Sequence, residues 1–162
     1  MARDEGEARL TAFESRLERV VHAYHRWKSA CLDAVADEKF AGNDVAVLNV
    51  IRMRERPKSR VEIARLLNRD DTSNIQYALR KLLRAQLIEK VDAVARKTAT
   101  YRTTPKGIEV TEAYADLRNE LLIGMTGRLD DDGAALREAG DLLDIMSGFY
   151  DQAAKLAATR RY

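Results

Sequence analysis

The sequence predicts a mainly α-helical fold with a small β-wing: a winged helix-turn-helix flanked by long N- and C-terminal helices. The main observation concerns residues 58–107, where two short amphipathic runs, separated by a tight turn, precede two β-branched runs. That order of elements is helix, turn, helix and hairpin. The second observation is the composition, since aromatic residues make up only 6% of the chain and Ala, Leu and Arg are frequent. Such a composition favours helix over strand.

The composition is that of a globular protein of a reducing compartment. With 162 residues, 46% of them apolar and 33% charged, the chain has the length of one domain, or of one domain with an oligomerisation element. Residues 1–18 are charged and lack the apolar core of a secretion signal, and no run of about 18 apolar residues predicts a membrane span. The one cysteine, Cys31, excludes an internal disulfide. We therefore expect a cytoplasmic protein.

The predicted first helix carries an apolar seam with alternating spacings of three and four residues, which is a heptad pattern. Such a seam requires a partner helix. The partner can belong to the same subunit, as ordinary packing, or to a second copy, as a dimer interface. A similar seam recurs in the last helix, which we expect to reach about residue 158. The residues of the first seam are Leu10, Phe13, Leu17, Val20, Tyr24, Trp27, Cys31 and Ala34.

A buried second helix is predicted after residue 42. Gly42 interrupts the pattern of the first helix, and Asn43 or Asp44 is suited to cap the second. Residues 45–53 are apolar on nearly all sides, which predicts burial. Asn49 is the polar exception among them.

Capping residues mark the ends of the predicted helix-turn-helix. Ser59 and Glu62 have the spacing of a capping box at the start of the third helix. Asn68 lies where a left-handed residue would end that helix, and Asp71 is suited to cap the fourth. We expect the fourth helix over about residues 72–85.

The predicted fourth helix has an apolar face and an outward face without any acidic residue. At about 100° per residue, Ile75, Leu79 and Leu82 lie on one side. An ordinary solvated helix mixes both signs of charge on its outward face. The outward residues here are Ser73, Asn74, Gln76, Tyr77, Arg80, Lys81 and Arg84.

Positive charge is concentrated around this helix. Between Arg52 and Lys106 there are 15 Lys and Arg residues and 6 Asp and Glu residues, a local charge of +9. The whole chain has a net charge of +2, so the remainder has −7. A basic segment that contains a helix-turn-helix is typical of proteins that bind the phosphate backbone of DNA.

Two short runs after the fourth helix predict a β-hairpin. Residues 87–91 and 98–103 alternate in polarity or are rich in β-branched residues, and the tip between them ends with Arg96 and Lys97. Thr104, followed by proline, is suited to cap a fifth helix.

Two strings of this region resemble the MarR family of bacterial winged-helix regulators. VEIARLLNRDDTSNIQYALRKLLRAQLIEKV, from residue 61, is similar to the family's positioning helix, its Asp-capped recognition helix and the start of its wing. YRTTPKGIEV, from residue 101, is similar to the family's Leu-Thr-x-x-Gly ending. Thr104 and Gly107 match that ending, and Thr103 takes the Leu position.

The resemblance implies a single MarR-like domain over residues 1–162. Its DNA-binding lobe would cover 44–106, and its dimerisation helices 7–36 and 108–158. The partners implied are double-stranded DNA and a second copy of the chain, so the DNA site is expected to be pseudo-palindromic, with half-sites about one helical turn apart. Repression, with release by a small, often aromatic ligand, is the usual behaviour of the family.

The recognition helix is expected to lie in the major groove. Gln76 and Asn74 can pair with adenine, and Arg80 can pair with guanine. The remaining outward residues are better suited to phosphates. They are Ser73, Tyr77, Lys81 and Arg84.

The wing departs from the family pattern. Asp92 matches the Asp at the tip, but Val94 stands where the family has an Arg that holds this Asp. Arg96 or Lys97 takes the place of the Arg that enters the minor groove. We expect these two residues to contact the DNA backbone or the minor groove, with a wing that binds more weakly or at a different place.

Effector-binding residues are also expected from the family resemblance. Trp27 and Phe40 are candidates for the wall of a ligand pocket, and Asn49 for a hydrogen-bonding group in it. The alternative for each of the three is an ordinary core residue.

Some features of the sequence also fit functions other than that of a DNA-binding regulator. Cys31 could sense peroxide, although its place on the apolar seam favours an inert thiol. Glu18, His22 and His25 share one side of the first helix and could hold a metal, but they are an incomplete zinc set, which favours a solvated helix face. A winged-helix adaptor that binds proteins is another alternative. No phosphate loop, nucleophile elbow or catalytic dyad indicates an enzyme, and no motif indicates a cofactor.

Overall fold

Helices dominate the structure, and a three-stranded antiparallel sheet lies in its first part. The computed structural model describes residues 3–91, 99–128 and 133–160. The chain forms two units, residues 1–117 and 118–162. The fold class predicted from the sequence is confirmed, and the boundary between the units falls inside the predicted dimerisation segment 108–158.

The first unit follows the predicted order of elements, with one additional short strand. Its elements are α1 (Glu5–Asp33), α2 (Gly42–Arg52), a 3₁₀ turn (Met53–Glu55), β1 (Lys58–Ser59), α3 (Arg60–Leu66), α4 (Thr72–Arg84), β2 (Ile88–Val91), β3 (Thr100–Thr103) and α5 (Pro105–Arg118), which ends at the unit boundary. The elements of the second unit are a π-helical turn (Asn119–Ile123), α6 (Gly124–Thr126) and α7 (Ala134–Thr159).

The sheet has the strand order β1-β3-β2 and is antiparallel throughout. Tyr101 of β3 lies opposite Lys58 of β1 and opposite Lys90 of β2. The hydroxyl of Thr100 donates to the carbonyl of Val91 at 3.0 Å. The predicted hairpin is confirmed as β2 and β3. Strand β1 was not predicted, because two residues are too few to show a period.

The core lies where α2, α3 and α4 pack against one another and against the sheet. The side of α4 that the periodicity marks as apolar is the buried one, and α2 is buried as predicted. Residues with 2% exposure or less in this core include Val45, Leu48, Ile51, Ile63, Ile75, Leu79, Leu82 and Leu87.

The ends of α3 are as predicted, except for one half of the capping box. The hydroxyl of Ser59 accepts a hydrogen bond from the amide of Glu62 at 3.2 Å. The carboxylate of Glu62 does not return to Ser59 but pairs with Arg56. Asn68 has a φ of 49°, the left-handed conformation that ends the helix.

The start of α2 differs from the prediction. The N-cap is Ala41, and Gly42 is the first residue of the helix instead of a break before it. Asp44 acts from within the first turn, where its Oδ2 accepts from the amide of Ala41 at 2.9 Å. Asn43 is not a cap. A glycine is favoured at position 42, because a Cβ there would lie 2.9 Å from the backbone carbonyl oxygen of His25 on α1 and 2.6 Å from its Nδ1.

The predicted apolar seam of α1 is buried only in part. Cys31 and its neighbour Leu32 are 1% exposed, whereas Val20 is 63% and Tyr24 54% exposed. In the second unit, α7 leaves most of its apolar side exposed, and none of its described residues is buried. The large apolar residues exposed on α7 are Leu136, Leu142, Leu143, Ile145, Phe149 and Leu156.

Lys28 is a buried cation on α1. It is 4% exposed, and its ammonium lies 4.2 Å from the centre of the Tyr24 ring. Across residues 3–91, 99–128 and 133–160 it forms no hydrogen bond and no ion pair. Burial, together with nearby Arg69, lowers the pKa of Lys28. The charge of this side chain therefore costs folding free energy without an anion to offset it.

We expect Lys28→Met to stabilise the protein by about 1 kcal/mol at neutral pH, because it removes a buried charge and retains an apolar contact with Tyr24. The pKa of an unfolded lysine is about 10.4, and that of folded Lys28 is lower. Between these two values the unfolded state binds more protons, so wild-type stability rises as the pH increases through that window. The gain from the substitution should therefore be full below the folded pKa and shrink towards pH ~10.4.

Urea denaturation at several pH values measures this gain. Lys39→Met, at an exposed lysine, is the control and should change stability by less than about 0.5 kcal/mol. A Lys28→Met protein that is less stable than wild type at neutral pH would contradict the argument.

Candidate nucleic-acid interface

Helix α4 presents the predicted acid-free face to solvent. Asp71 caps the helix, its Oδ1 accepting from the amides of Ser73 at 3.0 Å and Asn74 at 3.2 Å. The cap holds an acid at the positive end of the helix dipole and leaves the rest of the outward face without acid. The exposed residues of this face are Ser73, Asn74, Gln76, Tyr77, Arg80 and Arg84.

Gln76 and Arg80 are the side chains best placed to contact base edges. Both are exposed, and neither forms a hydrogen bond or an ion pair within the part of the chain that the structure describes. An amide can make two hydrogen bonds to adenine, and a guanidinium can make two to guanine. The two groups lie one helical turn apart on the same helix, so both can face one groove.

A groove of about 380 Å³ lies beside Gln76, between the start of α3, α4 and β3. Arg60, in the first turn of α3, is exposed at this groove and is a cation that was not among the residues predicted to contact DNA. The sequence could have indicated Arg60 as a candidate, because it directly follows Ser59, the predicted cap of α3. The lining residues are Ser59, Arg60, Val61, Gln76, Leu79, Ala99 and Tyr101.

Asn74 is less free than its neighbour Gln76. Its side-chain amide donates to the carboxylate of Asp71, and its backbone carbonyl accepts from the side chain of Asn43 at 3.3 Å. Asn43 in turn accepts from the guanidinium of Arg69. Asn74 therefore belongs to the end of the helix and its anchor on α2, and pairing with adenine would require its amide to leave Asp71.

Lys81, which was predicted to contact phosphate, pairs with a buried carboxylate of α2. Its ammonium lies 2.9 Å from Oδ2 of Asp44 and 5.0 Å from the centre of the Phe40 ring. The side chain is only 19% exposed, and that of Asp44 only 2%. Helical periodicity placed Lys81 on the outward face, but its long stem reaches back to α2, where a buried carboxylate holds it.

Arg84, at the last turn of α4, is 75% exposed. One of its guanidinium nitrogens lies 3.8 Å from the carboxylate of Glu38 in the loop before α2. An exposed pair of this length is weak, so Arg84 remains available to a phosphate.

The tip of the predicted wing, including Arg96 and Lys97, lies outside the described residues. The base of the wing is described. There Arg102 of β3 pairs with Glu89 of β2 at 2.6 Å, both on exposed positions of the hairpin. This pair neutralises one of the basic residues that gave the region its positive charge.

The three predicted effector residues lie in the first unit and differ in burial. Phe40 is 3% exposed in the core, next to Lys81. The cavity beside Phe40 has about 10 Å³, which is too small for an aromatic ligand. Trp27 is partly buried against the core, and Asn49 is also partly exposed.

Cys31 and His25 of α1 pack against other residues of the first unit. The thiol of Cys31 is buried, 3.8 Å from the carbonyl oxygen of Tyr114, and burial raises its pKa. A thiol that resists ionisation reacts slowly with peroxide, which argues against a redox sensor. His25 packs against Gly42. No group of three His, Cys, Asp or Glu side chains among the described residues is arranged to hold a metal.

Comparison with known proteins agrees with this geometry. Residues 40–107 match the family described as the winged helix DNA-binding domain. The matched segment runs from the last residues before α2 to the first turn of α5 and includes all of α4. No curated protein matches the sequence.

Solved structures extend the likeness to most of the chain. A MarR family transcription regulator is 17% identical, with 91% of each chain covered and a TM-score of 0.66. The chain has the MarR fold. The MepR–DNA complex of S. aureus is 16% identical, with 85% of this chain and 96% of that chain covered and a TM-score of 0.67. BldR of Sulfolobus solfataricus is 20% identical, with 90% of this chain and 98% of that chain covered and a TM-score of 0.63.

The MarR fold inferred from the two sequence strings is therefore confirmed. The matched domain is described as a DNA-binding winged helix, and the fold is that of solved MarR family regulators. Within the described residues, no helix is both long and apolar enough to span a membrane.

Proposed function

We propose that this chain is a sequence-specific, DNA-binding transcription regulator, acting as a repressor. The observation that carries the proposal is the exposed face of α4, which has no acid and presents Gln76 and Arg80 without a hydrogen bond or ion pair to any described residue. An adaptor for another protein would usually keep both signs of charge on such a face. The match of residues 40–107 to the winged helix DNA-binding domain supports the same function.

The proposal includes a homodimer. Val20 and Tyr24 leave the seam of α1 exposed, and α7 exposes large apolar residues along its length, Phe149 among them at 60%. Exposed apolar faces of helices usually mark an interface. A twofold dimer presents two copies of α4, so its operator would be a pseudo-palindrome with half-sites about one helical turn apart. The single MarR-like domain, with a DNA-binding lobe at 44–106, remains part of the proposal.

In the proposed complex, Gln76 and Arg80 contact bases in the major groove. Ser73, Tyr77 and Arg84 contact phosphates, and Asn74 contributes to base contacts only if it leaves Asp71. The wing residues Arg96 and Lys97 are proposed to contact the backbone or the minor groove.

Release from DNA by a small aromatic ligand is also proposed, through a difference in the ligand's affinity for two arrangements of the dimer. Trp27 and Asn49 remain candidate contacts, whereas the burial of Phe40 favours a core role. A regulator of this kind would act in the cytoplasm and associate with the nucleoid when bound to DNA.

Selection of genomic fragments with the purified protein, followed by a salt titration on the best fragment, tests the proposal. We expect an enriched pseudo-palindrome and an affinity that falls steeply with salt, since bound Lys and Arg residues release counterions from DNA. Enrichment of no sequence, together with a shallow salt dependence, would favour the protein adaptor. Repeating the selection with protein refolded without ligand excludes inhibition by a co-purified effector.

Arg80→Ala is expected to weaken binding to the selected fragment by about 1–3 kcal/mol and to relax the preference at one base pair of each half-site. The reason is the loss of a bidentate contact that only one base offers. The measurement is the affinity for the fragment and for its single-base variants. Arg16→Ala, at an exposed arginine of α1, controls for net charge. An unchanged set of base preferences in Arg80→Ala would remove this role.

A further inference from the structure

A buried ion pair joins the recognition helix to α2. The carboxylate of Asp44 accepts from the ammonium of Lys81 and from the backbone amide of Ala41, each at 2.9 Å and each at Oδ2. The side chain of Asp44 is 2% exposed, and the ammonium of Lys81 lies 5.0 Å from the centre of the Phe40 ring. A charge pair with so little solvent has a narrow range of geometries, because either ion alone would lose its hydration without compensation.

The neighbouring residue of α2 holds the same helix at another point. The side chain of Asn43 donates to the backbone carbonyl of Asn74 at 3.3 Å and accepts from Arg69 in the turn before α4. Consecutive residues at the start of α2 therefore bind α4 at its first turn and about two turns later. Two attachment points on one helix resist both tilt and rotation about its axis.

Rotation of α4 matters for base recognition. The ends of long side chains lie far from the helix axis. A small rotation of the helix about its axis therefore moves them by several ångströms. Lys81 directly follows Arg80 in the sequence, and its attachment fixes the direction in which Arg80 and Gln76 leave the helix. Base contacts depend on that direction more than phosphate contacts do.

We propose that Asp44 and Lys81 are positioning residues, which hold the recognition helix in the orientation that base recognition requires. The inference rests on the proposed DNA-binding function. It assigns no DNA contact to Lys81, and it adds Asp44, which lies outside the recognition helix, to the determinants of sequence preference.

Asp44→Asn distinguishes positioning from a phosphate contact. Asn keeps an oxygen that accepts from the amide of Ala41, but it lacks the charge that holds Lys81. For a positioning role we expect affinity for the selected fragment to fall about tenfold, with broader base preferences and an unchanged salt slope. If Lys81 instead contacts phosphate, the same substitution frees its ammonium, and affinity for all DNA rises with a steeper salt slope.

The experiment uses the full chain as wild type, Asp44→Asn, Lys81→Met and the double variant. Each is measured for affinity on the selected and on an unrelated duplex at several salt concentrations, and for urea stability. The double variant should recover stability relative to Lys81→Met, because no unpaired charge stays buried. Its base preferences should stay broad, which a purely structural role does not predict. Wild-type preferences in the double variant, or tighter binding by Asp44→Asn, would overturn the inference.

Hydrogen exchange of the DNA-free protein tests the attachment separately from DNA binding. We expect the amides of α4 to exchange about tenfold faster in the double variant, while those of α5 keep their wild-type rates. Unchanged exchange in α4 would overturn the inference even if the wild type selects a DNA sequence. Faster exchange together with no sequence selection by the wild type would instead reject the proposed function and keep the attachment.

Discussion

Gly107→Ala is expected to destabilise the protein by about 3 kcal/mol and to reduce DNA binding at temperatures where the wild type is folded. A Cβ at position 107 would lie 1.9 Å from the carbonyl oxygen of Leu87. That oxygen belongs to backbone, so it cannot turn aside as a flexible side chain would. The backbone at Leu87, directly before β2, and the start of α5 must separate by roughly 1 Å or more for the methyl group to fit.

The separation would also break several hydrogen bonds at the junction of the wing and α5. The carbonyl of Leu87 accepts from the amide of Thr104 at 3.1 Å, and the hydroxyl of Thr104 donates to the carbonyl of Gln86 at 2.6 Å. The same hydroxyl accepts from the amide of Gly107 at 3.0 Å. These bonds attach the end of the recognition helix and the first wing strand to α5, so their loss affects fold and interface together.

Urea denaturation of Gly107→Ala, followed by circular dichroism, measures the effect. Gly140→Ala is the matched control, because a Cβ at position 140 of α7 meets no atom within 4 Å. Alanine in an exposed helix is favoured over glycine by about 0.8–1.0 kcal/mol, so this control should gain stability. Equal midpoints for Gly107→Ala and wild type would show that the two backbone segments are not in contact.

Local periodicity was sufficient to predict the recognition helix. The apolar positions of α4, such as Ile75 and Leu79, recur every three to four residues, and Asp71 is a cap that acts within the next three residues. Both signals depend only on neighbours in the sequence. The helix, its buried side and its acid-free outward side therefore followed from the sequence alone.

Contacts between distant residues could not be predicted in the same way. Lys81 and Asp44 are 37 residues apart, and nothing in the sequence of α4 distinguishes a lysine that reaches back to α2 from one that extends into solvent. The two-residue strand β1 shows no period. The count of basic residues around the recognition helix was correct, but Lys58 and Lys81, both included in it, face the interior and add little to the surface potential.

Substitution of Lys58 is the second change for which we expect a large effect on stability. It is 1% exposed, and its ammonium donates to the backbone carbonyls of Ile51, Met53 and Arg56, at 3.1 Å for Ile51 and 3.2 Å for Arg56. These carbonyls lie at the C-terminal end of α2 and in the turn that follows, where the helix leaves acceptors without an internal donor. A cation at this end is also favoured by the helix dipole.

We expect Lys58→Met to destabilise the protein by about 3 kcal/mol, because three carbonyls lose their donor and the methionine offers no replacement. Burial lowers the pKa of Lys58, so part of this loss is offset by removing a desolvated charge. The bonds should outweigh that gain here, in contrast to Lys28, whose ammonium contacts an aromatic ring and no carbonyl or carboxylate among the described residues. The same substitution at two buried lysines is thus expected to have opposite signs.

Urea denaturation of Lys58→Met and Lys28→Met side by side, with exposed Lys39→Met as the common reference, measures both signs in one experiment. If Lys58→Met is as stable as wild type, the free energy gained by removing the desolvated ammonium equals the free energy lost with its three hydrogen bonds. In that case Lys58 does not stabilise the end of α2. If both variants lose stability by similar amounts, packing of the lysine stems, and not the partners of the charge, determines the result.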